Sequence, residues 1–238
     1  MIEDDLLNME SKMEKEENYA FLAPTGKADG QSPRVIWRRV TLSGKQSKRL
    51  PRIALILAEE ARKKAAGRVR LGIPVEIRPR KPGLRSTSNL TNAILRDIHE
   101  NSTISNLSHE ISESVEQRMD RISTLWRYRI APHVPISLIV KAMRYEIKKR
   151  HDSGNYGMSA FLSNLGRIPQ TDYVGGGFET TSCCFIPPGI GSLPLFMALA
   201  GMGASVNLVV SMPSVPGSNG RLEELLEGVA FRLASNER

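Results

Sequence analysis

Near its C-terminal end the chain carries two strand-length apolar runs, LPLFMALAG (residues 193–201) and ASVNLVVSM (204–212), linked tightly through Gly201 and Gly203. Glycine supplies the backbone freedom that a short hairpin turn demands, so the pair reads as a β-hairpin. Directly after it, Leu222, Leu225, Leu226, Val229 and Leu233 recur on one face of a helix over 219–234, with Asn219 as its expected cap. A hairpin followed by an amphipathic helix of this length points to a sheet with helices packed on it.

The upstream segments extend that pattern. RVIWRRVTL (34–42) alternates like a strand, and a helix follows over 50–66, with Leu50, Ile53, Leu57 and Ala61 on one face, Pro51 in its first turn and Gly67 as its stop. VRLGIPVEIR (69–78) reads as a strand. Its Pro74 cannot donate to a ladder, so an edge or a bulge is expected there. LTNAILRDI (90–98) reads as another strand, and helices follow over 105–122 and, as a basic amphipathic segment, over 136–150. GMSAFLSNLGRI (157–168) looks like a strand running into a turn, and FETTSCCFI (178–186) like a further strand. The expected fold is α/β (α+β): a mixed, largely antiparallel sheet with helices packed on it.

Composition sets the class of molecule. With 238 residues, 40% of them hydrophobic and 24% charged, the chain can bury a substantial core. Its two cysteines, Cys183 and Cys184, are adjacent and too few for a disulfide framework or a zinc site, so a reducing cytoplasm and no metal are expected. The acidic start, MIEDDLLNMESKMEKEEN, lacks the apolar core of a secretory signal, and no run of about 18 apolar residues is present, so no membrane span is expected.

Charge is distributed unevenly. The formal net charge is +8, yet residues 1–18 sum to about −5 and residues 27–85 to about +13. Residues 1–33 begin with the pattern of a short acidic helix and turn irregular around Pro24, Gly26, Gly30 and Pro33, which marks them as an N-terminal segment and linker. Residues 34–238 are the expected folded domain.

Four segments together carry a family resemblance. The helix 50–66 with GRVRLGIPVEIRPR is similar to a helix and strand ending in a "PVDxR"-like sequence, here Pro74 to Arg78; SNLTNAIL (88–95) is similar to a "GN" strand, with Ser88 where glycine is usual; FLSNLGRI (161–168) is similar to an "SNxG" strand; and the C-terminal strands and helix follow in the same order. In this, roughly residues 34–238 resemble the C-terminal half of a condensation-domain or chloramphenicol-acetyltransferase-like, CoA-dependent acyltransferase. The resemblance implies that fold, acyl-CoA or a phosphopantetheine thioester as co-substrate rather than a bound cofactor, and an alcohol or amine as acyl acceptor. As partners it implies an N-terminal acyltransferase half or self-association, and an acyl carrier protein.

The family's HHxxxDG motif, whose second histidine is the general base, is missing. The four histidines, His99, His109, His133 and His151, stand apart from one another. The resemblance therefore implies a half-protein whose catalytic histidine lies elsewhere, inactive by itself. The alternatives are a non-catalytic scaffold that binds a carrier protein or subunit, and a basic nucleic-acid-binding module. Few aromatics (5%) and no zinc-finger or RNA-recognition signature argue against the last. The basic stretch 34–85 is read first as solvated helix faces and second as a docking surface for phosphate-bearing CoA or an acidic carrier.

Among individual residues, Ser163 and Asn164 close a core strand, where a hydroxyl or amide can donate to a developing oxyanion. The plainer reading is that they form the turn before Gly166. The resemblance implies a place for Asn89, Asp172 and Gly175 along the substrate channel. Read by itself, TDYVGGGFE (171–179) is loop structure, and its glycines lack the Lys-Ser/Thr that a phosphate loop requires. His109 adjoins Glu110, but neighbouring helical residues do not face each other, so a surface role is expected for it and for His133. In a strand over 178–186, Cys183 and Cys184 would point to opposite faces.

Overall fold

The computed structural model describes residues 23–27, 34–43, 48–76, 83, 91–117 and 133–235. In chain order they form β1 (Val35–Ser43), α1 (Arg49–Lys64), β2 (Val69–Glu76), β3 (Thr91–Ile98), α2 (Ile104–Glu116), α3 (Ile136–Ser153) and β4 (Ala160–Arg167). A single 3₁₀ turn (Gln170–Tyr173), the two-residue strands β5 (Val174–Gly175) and β6 (Phe178–Glu179), β7 (Phe196–Met202), β8 (Ser205–Pro213), the short α4 (Ser214–Gly217) and α5 (Arg221–Ser235) complete it.

Six strands make one mixed sheet in the order β1-β8-β7-β4-β2-β3. The β1/β8, β8/β7 and β2/β3 pairs are antiparallel, while β4 runs parallel to both its neighbours, β7 and β2. The β7–β8 hairpin turns at Gly203 and Ala204, where Gly203 has φ +57° and Met202 pairs with Ser205. All seven residues of β7 are buried, so both faces of the sheet are covered there.

One face holds the main core. Ile53, Leu57 and Ala61 of α1 and Leu222, Leu226 and Val229 of α5 pack on Leu71, Leu162, Met197, Leu199, Leu208 and Val210. The i, i+4, i+8 spacing of the α1 residues puts them on one stripe, which the sheet then buries. Arg232 of α5 reaches Glu59 and Glu60 of α1 across the top of this layer.

Several sequence readings need correction. FETTSCCFI is not a strand of the sheet. Only Phe178–Glu179 pairs, with β5, and from Thr180 onward the chain lies irregularly along the second face. Asn207, 1% exposed, explains how that segment is held: its Nδ2 donates to Ser182 Oγ (3.1 Å) and to the Cys183 carbonyl (2.7 Å), while its Oδ1 accepts from Thr41 (2.8 Å). A side-chain amide thus takes the place of a backbone ladder, and Cys183 and Cys184 do not alternate between faces; both are half-buried. β2 is an interior strand, yet its ladder to β4 consists of Leu71–Ala160 and Gly72–Phe161, so Pro74 lies past its end and costs no hydrogen bond on that side. Asn219 does not cap α5. It sits in the left-handed region (φ 58°) of the turn before the helix, and Gly220 accepts the Glu224 N–H in the capping place.

Helix α2 ends at Glu116 with Gln117 as its C-cap, short of the 122 expected, and residues 118–122 fall outside the described residues. Within the segment read as a linker, Ala23 and Thr25 are buried, and Arg221 donates to the Lys27 carbonyl at 2.7 Å.

β2 and β3 are clamped by charge as well as by their ladder. Arg70 and Asp97 are register partners, and Arg70, 7% exposed, forms a two-pronged pair with the Asp97 carboxylate through Nε (2.6 Å) and Nη2 (2.9 Å), with Arg68 joining from the rim. Burial alone would raise the Asp97 pKa, but the hydrogen bonds and charges of Arg70 and Arg68 outweigh it and hold the carboxyl below its ordinary value. Removing one member of such a pair leaves the other charge buried. Asp97→Asn should therefore lower the free energy of unfolding by about 3 kcal/mol in urea titrations at neutral pH, with a loss under about 0.5 kcal/mol placing this pair among ordinary surface bridges.

Candidate functional site

Helix α1 runs back against the sheet, so its first turn comes to rest where β4 and β7 end. Lys48, at the N-cap, is left-handed (φ 56°) and offers no side-chain cap, and the first turn holds no acidic residue. Among the described residues no side chain caps this helix start, whose macrodipole is positive.

On the opposite wall β4 finishes irregularly. Its register with β7 shifts between Asn164 and Arg167, and the Asn164 side-chain oxygen accepts the Gly166 N–H at 3.0 Å, which turns the chain at Gly166 (φ +73°). A bulge of this kind ends pairing and re-aims side chains. Between the two walls lies an open cavity of about 780 Å³, bounded by Lys48, Arg49, Ser108, Asn164 and Arg167 above an apolar floor of Leu199 and Val206. Among the described residues lining it there are three cations and no carboxylate.

The strand period separates the two residues named together from sequence. Asn164 lines the cavity on the α1 side, whereas Ser163, the register partner of Ala198, is half-buried on the other side of the sheet with Phe161. Phe161 in turn packs against Phe196, ring centres 5.3 Å apart. Asn89 lies outside the described residues. Asp172 is exposed in the 3₁₀ turn, and Gly175 is exposed in β5. Gly176 (φ 57°) and Gly177 (φ 80°) form the two-residue turn of the β5–β6 hairpin, so the glycine triplet is accounted for by turn geometry. Tyr173, Val174 and Phe178 leave large apolar side chains exposed on this arm.

None of the four histidines lines the cavity. His99 and His133 are exposed; His109 is also exposed and lies 3.9 Å from Glu113, one helical turn along, rather than from Glu110. His151 is buried at the end of α3, its Nδ1 2.9 Å from the hydroxyl of fully buried Tyr156. Cys184 Sγ has Arg39 Nη1 at 3.8 Å. Among the described residues no cluster of three or more His, Cys, Asp or Glu is placed to hold a metal ion, and no helix is long and apolar enough to cross a membrane.

The sequence reading missed Lys48, Arg49 and Arg167 as a group. A signal was present: SKRLP starts a helix with cations where an acidic or hydroxyl cap is usual, and Arg167 directly follows the SNLG turn.

Comparison with solved structures agrees with this topology. No protein-family model and no curated protein sequence matches the chain. A condensation domain involved in chain release from the enacyloxin polyketide synthase superposes with TM-score 0.59 at 16% identity, covering 96% of this chain and 46% of that one. The fold is that of condensation domains. The epimerization domain from the third module of tyrocidine synthetase B gives TM-score 0.53 at 13% identity, over 98% of this chain and 55% of that one. A nonribosomal peptide synthetase bound to an α-methyl-L-serine adenylate gives 0.54 at 16%, over 94% and 25%. The chain thus spans about half the length of the condensation and epimerization domains it matches, as the motif order implied.

The His151–Tyr156 pair has a pH consequence. Burial lowers the His151 pKa, and it pushes the Tyr156 hydroxyl up to about 12, so the phenol keeps its proton and the folded state favours a neutral imidazole. The unfolded chain takes up a proton near pH 6.5 while the native one resists. Stability is then full above that value and falls as the pH drops from about 6.5 toward the lower native pKa. Urea titrations at pH 7.5 and 5.5 should show this loss, and His151→Gln should reduce it; an unchanged pH dependence in the variant would remove His151 as its source.

Proposed function

We propose that this chain is the thioester-binding half of a condensation-type acyltransferase, and that the general base reaches its cavity from a second half. The observation carrying the reading is the cavity at the end of β4: three cations, a helix start without a side-chain cap among the described residues and the Asn164 amide converge there in a condensation-domain fold. Phosphates of CoA or of a phosphopantetheine arm suit the cationic wall. The apolar floor suits the acyl and pantetheine chain.

In such a transfer a base takes the proton from an alcohol or amine, the nucleophile attacks the thioester carbonyl, and the tetrahedral oxyanion collapses with loss of the thiolate. With its oxygen committed to the Gly166 N–H, Asn164 has its Nδ2 left to donate to that oxyanion. None of the four histidines lines the cavity, which supports a base supplied from outside this chain. The exposed arm carrying Tyr173, Val174 and Phe178 supports a complementary half as partner, with an acyl carrier protein as thioester source.

Two measurements test this. Calorimetric titration should detect CoA binding, weakened at least about tenfold in the double variant Lys48→Ala/Arg167→Ala and by added salt; equal affinity in the variant would sink the cavity assignment. When a histidine-bearing half is supplied, Asn164→Ala should lower kcat about 10²-fold with little change in KM. Ser163→Ala, facing away, should leave kcat near the parent value. Thiol release by this chain alone, abolished by replacing any one of its histidines, would overturn the two-half reading.

A further inference from the structure

Helix α3 is covered along its C-terminal half and bare along its N-terminal half. The covered half packs on the body through Ile147, which lies against Gly191, and through His151 against Tyr156. The same stripe continues upstream as Ile136, Val140 and Met143, four and three residues apart, and there it is 79%, 39% and 58% exposed. Charge pairing changes at the same point. In the covered half Lys148 and Arg150 each meet a carboxylate four residues away, Asp152 at 2.6 Å and Glu146 at 2.9 Å. In the bare half Lys141 and Arg144 are exposed and, among the described residues, have no ion-pair partner. An apolar stripe flanked by unpaired cations suits a helix with an apolar, acidic face.

The outer face of α5 is of that kind. Glu224, Glu227 and Phe231, three and four residues apart, share this face and are all exposed, Phe231 to 73%. Among the described residues neither glutamate has an ion-pair partner, whereas the neighbouring Glu223 is held by Arg38 at 2.7 Å. Gly228 stands on the same face, one turn before Phe231, and a Cβ on it would meet nothing within 4 Å. Glycine inside a helix is destabilising relative to alanine, and no crowding among the described residues requires it here. What it permits is close approach by another backbone. Both faces are exposed, so neither covers the other within one chain.

We propose that the bare half of α3 receives the outer face of α5 from a second copy of this chain. Phe231 of one copy lies against Val140 and Met143 of the other, with Glu224 and Glu227 turned toward Arg144 and Lys141. The two patches differ, so the contact is heterologous and each copy carries one of each. This pairing does not depend on the acyl-transfer reading.

Sedimentation velocity of the full chain across a concentration series tests it. The weight-average mass should rise with concentration, and added salt should weaken the association. Lys141→Glu/Arg144→Glu and Glu224→Lys/Glu227→Lys, all at exposed positions, should each raise the dissociation constant at least about tenfold. An equimolar mixture of the two variants should recover the parent's association, since each then offers the charge that the other lacks. A monomer at every concentration overturns the proposal. Association weakened by only one of the two variants also overturns it, and assigns that helix to a different surface; so does a mixture that stays dissociated.

Discussion

A strand inserted parallel to both of its neighbours governs this architecture. β4 lies between β2 and β7 and runs with each, so no hairpin can connect it to either, and the chain must cross a face of the sheet between β4 and β7. That crossing passes through the β5–β6 arm and the irregular stretch to β7. Because β2, β4 and β7 point the same way, their carboxyl ends share one edge. Helix α1, which runs back before β2, brings its N-terminus to that edge. In open sheets ligands bind where parallel strands end, and the cavity stands at that place. Its position follows from connectivity; its chemistry follows from what the turn at Asn164–Arg167 and the start of α1 happen to carry.

That arrangement has a cost in buried polar groups, and the structure meets it locally. The second face of the sheet is crossed by a segment without regular hydrogen bonding, and a buried backbone carbonyl left unpaired would cost about 1–3 kcal/mol. Asn207 resolves this with one amide that serves β1 through Thr41 and the crossing segment through Ser182 and Cys183. Within the β2–β3 pair the Arg70–Asp97 contact does the same for charge, buried Arg70 and half-buried Asp97 each being tolerable in its place because of the other.

How much of this could be read from residues alone depended on the range of the interaction. Helices α1 and α5 and the β7–β8 hairpin were legible because their patterns are local: a 3.6-residue stripe, or an apolar pair around Gly203, is complete within one element. The half-domain resemblance was legible because motif order survives where identity falls to 13–16%. FETTSCCFI was misread because its β-branched residues satisfy the local rule for a strand, while the decision belonged to Asn207, on a different strand. Pro74 was read soundly as needing a missing neighbour but not as an interior residue, since where a ladder stops depends on strands 90 residues apart. Ser163 and Asn164 were treated as one site although the two-residue strand period already separates them. The cationic wall was overlooked because Arg167 lies far along the sequence from Lys48 and Arg49.

The basic stretch 34–85, a single feature in the sequence, performs three physical tasks in the fold. Arg68 and Arg70 are spent on Asp97 and are unavailable to any partner. Arg62 donates to the Ile98 carbonyl, while Lys63 pairs with Glu60, so the end of α1 is largely internal bookkeeping between helix and strand. Among the described residues of the stretch, Lys48 and Arg49 line the large cavity at the end of β4, and there a third cation, Arg167, joins them from far along the chain. A uniform positive face would attract any polyanion with equal weakness, since exposed charges are screened within about 10 Å at ordinary salt. In the proposed function, three cations around a cavity, beside a helix start and above an apolar floor, receive the phosphate end of the thioester carrier and its apolar chain. The net charge of the stretch therefore says less about function than the fraction of it that the fold leaves facing one cavity.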